Sequence, residues 1–197
     1  MVSVLTSALR QISLSNEEFG RLELLRRLKP GVRPDITRGE LSKLDLPFPG
    51  DELSSLYEWH NGTDSEGVKL GRIYLFPGFY MLSLEEGLEI YNNFVGNERW
   101  GREWFPLFAD GGGDFYVVTC SRMSSRNGKI VHFMIDEPDH SIEYESLAPM
   151  LQTMAEAYRR KIFFVDQEGY LDEDPDAFLS LGEELNQDVP WWTDPIE

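Results

Sequence analysis

The chain has 197 residues, of which 41% are hydrophobic and 13% aromatic, enough to bury one substantial core and too apolar for a disordered chain. No run approaches the ~20 apolar residues of a membrane span. A formal net charge of −17 disfavours a nucleic-acid ligand, because that affinity comes largely from neutralising phosphates.

The charge is uneven. Residues 1–45 hold eight basic and six acidic groups, whereas Asp136 to the C-terminus holds three basic and seventeen acidic groups. A field of that sign speeds encounter with a basic protein partner, and it also serves solubility. The single cysteine, Cys120, excludes an internal disulfide framework and fits a reducing compartment. The N-terminus lacks a basic start followed by a long apolar core, so it does not read as a secretory signal. A cytoplasmic location is expected.

The first forty-five residues read as helical. Leu5, Ala8, Leu9 and Ile12 form one apolar stripe. Ser15 with Glu18 predicts a capping box that opens a second helix through Phe19, Leu22, Leu25 and Leu28. Lys29-Pro30-Gly31 should stop it, and Thr37 with Glu40 repeats the capping pattern.

Leu46-Pro47-Phe48-Pro49-Gly50 is a rigid loop before a helix carrying Leu53, Leu56, Tyr57 and His60, which Asn61-Gly62 should close in left-handed geometry. Gly71 to Phe76 reads as a strand, ended by Pro77-Gly78. Ser83 and Glu86 form a capping box for the next helix.

Trp100 to Cys120 is the most distinctive stretch. Its apolar run breaks at Asp110-Gly111-Gly112-Gly113-Asp114 and resumes at once. Three successive glycines imply positive φ or the close approach of another group. The arch is either a tight turn into a central strand or a binding rim flanked by Asp110 and Asp114. Phosphate binding would need a following Lys-Ser/Thr or a helix N-terminus, and carboxylates bracket the arch instead.

Phe115 to Cys120 and Lys129 to Ile135 flank Asn127-Gly128 as antiparallel neighbours. Leu147, Met150, Leu151, Met154 and Tyr158 share a helical face. In the acidic run Asp172-Glu173-Asp174-Pro175-Asp176, Asp174 suits an N-cap and Pro175 the first helical position, with Phe178, Leu181 and Leu185 inward. The run lacks the spacing of a calcium loop. Three scattered histidines and one cysteine offer no metal-ligand set, and no pattern calls for a cofactor. Trp191-Trp192 should pack back on the domain or form a contact surface.

Trp-Phe-Pro leading to Asp-Gly-Gly-Gly-Asp and an apolar strand, preceded by Leu46-Pro47 and Tyr57-Glu58-Trp59-His60-Asn61-Gly62, resembles the SUKH superfamily of bacterial toxin-immunity proteins and fungal cell-wall-integrity regulators. The resemblance runs from about Leu41 to Tyr158. It departs where members often carry an acidic residue in the strand after Gly-Gly-Asp, a place that here holds Thr119.

The resemblance implies an α+β fold with a mixed, mainly antiparallel sheet packed by helices; the chain reads as one domain over 1–197, with a helical segment over about 1–45 and an acidic one over about 136–197. The resemblance implies a non-catalytic immunity protein that binds a toxin domain, commonly a nuclease or deaminase, and the acidic half of the chain suits a basic partner. Neither nucleic acid nor membrane is an expected partner. Candidate partner-binding residues are Trp59, His60, Asn61, Trp104, Asp110, Asp114, Asp172, Glu173, Asp174 and Asp176. A regulatory scaffold of the cell envelope is the alternative. A hydrolase using Asp110 and Asp114 as acid and base is a third reading, although three glycines fix no separation between them.

Overall fold

The computed structural model describes residues 3–123 and 125–193. The last four residues of the expected acidic segment lie outside it. The fold is α+β, built on a five-stranded sheet in which every pairing is antiparallel, in the order β3-β4-β5-β6-β7. These strands are β3 (Tyr80–Met81), β4 (Trp104–Ala109), β5 (Phe115–Thr119), β6 (Ile130–Phe133) and β7 (Ile142–Tyr144).

Both faces of the sheet are covered. Successive strand residues point to opposite sides, so Phe105, Val118, Ile130 and Tyr144, aligned across four strands, lie on one face. They join the main core with α6 (Leu147–Arg159), α4 (Asp51–Trp59) and α1 (Val4–Glu18), the last packed along α6. The opposite face carries Phe115, Val117, Val131 and Phe133, closed by Trp100 and by Ile90 and Phe94 of α5 (Leu84–Phe94). Double coverage explains why β5 is buried throughout rather than alternating.

The N-terminal segment is helical but divided differently from the expectation. Ser15 does not open a helix: α1 continues through it to Glu18, because Ser15 and Asn16 extend the buried stripe of Leu5, Ala8, Leu9 and Ile12. Gly20, at φ +70°, then turns the chain into the short α2 (Leu22–Arg27). Thr37 is likewise interior, in α3 (Pro34–Lys43), which starts on Pro34.

The expected strand over Gly71–Phe76 is absent. Its place is taken by a 3-10 turn, Leu70–Arg72, and a tight loop in which Phe76 bridges Phe79. The reason is tertiary. Arg21, 6% exposed, donates through Nη1 to the Tyr74 carbonyl at 2.7 Å and to Asn16 Oδ1 at 2.7 Å, and through Nη2 to the Arg72 carbonyl at 3.3 Å. Two carbonyls that a sheet would need are engaged by a buried guanidinium.

Two small hairpins complete the fold. β1 (Leu28–Pro30) pairs with β2 (His60–Thr63), and β8 (Phe163–Val165) pairs with β9 (Leu171–Glu173). The chain ends in α7 (Pro175–Leu185) and α8 (Pro190–Thr193). Asp174 caps α7 by accepting the Ala177 N–H at 3.1 Å, with Pro175 in the first turn as the sequence predicts. Phe178 and Leu185 pack against the core and Leu181 is buried within it. The tryptophan pair splits: Trp192 is 6% exposed and Trp191 is 37% exposed.

Candidate functional site

The glycine arch is the β4–β5 turn. Asp110 Oδ1 accepts the N–H groups of Gly112, Gly113 and Asp114 at 2.7, 3.0 and 2.9 Å. Asp114 Oδ1 accepts the Ile135 N–H at 2.9 Å, tying the arch to the end of β6. Gly111 and Gly113 hold φ of +86° and +122°, where a side chain is strained, whereas Gly112 does not. The arch amides point at their own carboxylate, not outward at a ligand.

Asn61 and Gly62 do not close a helix. α4 ends at Trp59, and His60 begins β2. Gly62, at φ +78°, lies where a Cβ would fall 2.2 Å from the Ser83 nitrogen, so β2 and the start of α5 meet backbone to backbone. Asn61 staples the same junction: its Oδ1 accepts the Leu84 N–H at 2.8 Å and its Nδ2 donates to Glu85 Oε2 at 3.0 Å. The Ser83–Glu86 capping box beside it is formed as expected. His60 Nδ1 bonds the Lys29 carbonyl at 3.0 Å, and its ring meets Trp59 edge-on at 4.5 Å.

Trp104 opens β4, whereas Asp110 follows its end, so a six-residue strand, roughly 20 Å, separates them. The Trp104 ring is half-buried against Trp100 at 6.0 Å and His140 at 5.6 Å, and it leaves no room for a Cβ at Gly101. In the tail, Asp172, Asp174 and Asp176 are exposed. Glu173, next along the strand, points the other way and is half-buried; burial first, and then Asp172, push its carboxyl up to about 7. The structure therefore brings Trp59, His60 and Asn61 together, holds Asp110 and Asp114 in one turn, and sets Trp104 and the tail apart.

Residues 41–156, more than half of the chain, match the model of the SMI1 / KNR4 family (SUKH-1). The chain belongs to this family. No curated protein matches it. Within the SUKH-1 match fall Trp59, His60, Asn61, Trp104, Asp110 and Asp114, while α1, α2, the β8–β9 hairpin and the acidic tail lie outside it.

The position where SUKH-1 relatives were expected to carry an acid holds Thr119, 7% exposed. Its hydroxyl bonds the carbonyls of Arg126 and Lys129, closing the β5–β6 loop. The five strands of this sheet carry one acidic residue, Glu143 of β7, which sequence reasoning did not single out. Glu143 is 4% exposed at a bulge between β6 and β7 that turns its side chain onto the main-core face. Tyr116 OH donates to its Oε2 at 2.7 Å, and His132 Nδ1 meets its Oε1 at 3.0 Å. The Tyr116 and His132 rings stack at 4.6 Å. His132 Nε2 and the hydroxyl of Tyr144 are buried without a partner among the described residues. Burial, then Glu143, hold both tyrosine hydroxyls well above the usual range. Only a bulge aligns Glu143 with these groups, so no periodicity could have grouped them.

Proposed function

We propose that this chain is a non-catalytic protein-binding domain that acts as an immunity protein, occluding the active surface of a basic, nuclease-type toxin. Family membership supports a protein-binding role. The observation that carries the finer reading is the charge distribution: three basic against seventeen acidic groups from Asp136 onward, with Asp172, Asp174 and Asp176 exposed at the hairpin and the α7 cap. Carboxylates presented in that way substitute for the phosphates that a nuclease surface recognises, and the same field repels nucleic acid itself.

The hydrolase reading draws less support, because Asp110 commits one oxygen to three backbone amides and Asp114 commits one to Ile135. One oxygen of each carboxylate is thereby engaged by the backbone, a structural role that accounts for both residues without a substrate.

The test is capture from the native host with the full chain as bait, followed by co-expression of the captured protein with and without it. The expected result is a basic protein whose toxicity the chain suppresses. A captured partner that is harmless alone and belongs to envelope synthesis would replace the immunity reading with the regulatory one.

A further inference from the structure

Arg21 carries a buried charge with no carboxylate partner among the described residues. Its three side-chain hydrogen bonds go to neutral acceptors, the Asn16 amide oxygen and the carbonyls of Tyr74 and Arg72. A guanidinium has five N–H groups; here Nε–H is buried without a partner, and Nη2 makes one bond of its two. Tyr158, the ionisable group that acts on Arg21, is raised by burial to about 12 and stays a neutral hydroxyl. Buried charges are ordinarily paired, because an unpaired ion gives up its hydration for nothing in return.

Arg21 is shut off from bulk water, yet it lines a cleft of about 250 Å³ between the α1–α2 turn and the β8–β9 hairpin. Arg72, half-exposed, lines the same cleft and is held only loosely, by Glu23 at 3.8 Å. Glu23 is itself shared with Arg27 at 3.6 Å. Phe19, Leu22 and Val165 supply apolar walls. Phe19 and Val165 also line a neighbouring cleft of about 300 Å³, which Phe164 extends and Lys161 and Glu18 border. Arg21, Arg72 and Lys161 outnumber Glu18 and Glu23, so this is a locally basic spot on a chain of net charge −17.

We propose that these clefts bind a small organic carboxylate with an apolar body, its carboxylate on Arg21 and Arg72 and its body between Phe19 and Val165. Together they fall within the ~300–1,000 Å³ of small-molecule sites. A planar carboxylate matches the fork of a guanidinium, and the apolar walls call for an apolar body behind it. Phosphate suits the site less, because Glu18 and Glu23 oppose a dianion more strongly and it has no body to bury. The same chemistry is offered by a free acid and by the C-terminal carboxylate of a peptide ending in an apolar residue. The site stands apart from the immunity reading, which needs no small ligand.

Titration calorimetry on the full chain compares phenylbutyrate and octanoate with their neutral amides, with inorganic phosphate, and with acetyl-Phe-Val carrying a free or an amidated C-terminus. At least one acid should bind about tenfold tighter than its amide. Arg72→Gln should weaken that binding severalfold, whereas Glu23→Gln, which removes the competing carboxylate, should tighten it. A purely structural Arg21 predicts neither shift. Arg21→Gln should abolish binding, and because Arg21 also holds the Tyr74 loop, the Arg72 and Glu23 variants carry the test if that one does not fold. Free acids binding more tightly than the peptide acid support a small-molecule ligand, and the reverse order supports a chain end. Acids that bind no tighter than their amides, binding that neither Arg72→Gln nor Glu23→Gln changes, or phosphate as the tightest probe would overturn the carboxylate site.

Discussion

The indole Nε1–H of Trp192 donates to the backbone carbonyl of Glu143 at 2.6 Å. This one bond joins the last described helix to the edge strand of the central sheet, across a separation of 49 residues. The ring also packs on Tyr144 at 5.6 Å and leaves no space for a Cβ at Gly182 of α7. α8 thereby covers β7, the edge that would otherwise be open.

Trp192→Ala should cost about 3–5 kcal/mol, the range for truncating a buried aromatic ring. Trp192→Phe keeps most of the packing and should cost about 1–3 kcal/mol, chiefly the unsatisfied Glu143 carbonyl. Urea midpoints of both variants check this, and a parental midpoint for Trp192→Ala would show that α8 does not hold the sheet edge.

A second prediction follows from Glu173, whose carboxyl is raised from an ordinary 4.5 to about 7 by burial and by Asp172. The folded chain holds this proton more tightly than the unfolded chain. Its contribution is fully present below about pH 4.5 and is lost as pH rises through about 7. Glu173→Gln should remove that loss, so its stability should gain on the parent between pH 4.5 and 7 and then run parallel. Glu156 acts in a separate window, because hydrogen bonding from Arg159 leads in lowering its carboxyl to about 2. Denaturant midpoints at half-unit pH steps test this; parallel profiles throughout would show that Glu173 is solvated.

The arch yields a contrast between adjacent glycines. Gly113 is at φ +122°, and its Cβ would lie 2.9 Å from Ile135 Cδ1, whereas Gly112 lacks positive φ and its Cβ would meet only the Asp110 side chain, at the Oδ2 that the arch amides do not use. Gly113→Ala should cost more than the ~1–2 kcal/mol of left-handed backbone strain, and Gly112→Ala less than that. Asp110→Ala, which orphans three amides, should cost about 1.5–3 kcal/mol. Equal melting of the two glycine variants would remove the conformational argument.

These cases mark how far the sequence could be read. The Ser83–Glu86 box, the Asp174-Pro175 helix start and the apolar face of α6 are local signals, and the structure follows them. Ser15–Glu18 carries the same local signal and misleads, because the buried stripe on α1 continues through it. Gly71–Phe76 has strand composition, yet Arg21, about fifty residues earlier, engages its carbonyls. Glu143 lies on a bulge, and a bulge shifts the alternation from which faces are read. Local chemistry was legible; contacts made across the chain were not.

Asn61 separates a structural role from a binding one. Its side chain bonds Leu84 N–H and Glu85, and it is 8% exposed. Asn61→Ala should therefore cost about 1–3 kcal/mol in stability. At a temperature where the variant is folded, its affinity for the captured partner should match the parent's. A loss of affinity with unchanged stability would restore Asn61 as a contact residue.

The last prediction concerns the exposed acids of the tail. Asp172, Asp174 and Asp176 stand in solvent, whereas Glu173 is half-buried and reversing it would test folding rather than binding. Rim charges act mainly on the association rate and its salt dependence, whereas desolvated anchors act on dissociation. Lysine at the three exposed positions should slow association with the captured basic partner several-fold at low salt. Near 1 M salt, where the Debye length is ~3 Å, parent and variant should associate at the same rate. Asp174 also caps α7, so the control is Asp174→Asn, which keeps the cap and removes the charge. Surface-immobilised kinetics at several salt concentrations decide the matter. If the triple reversal leaves the low-salt rate unchanged, the acidic tail does not steer the partner.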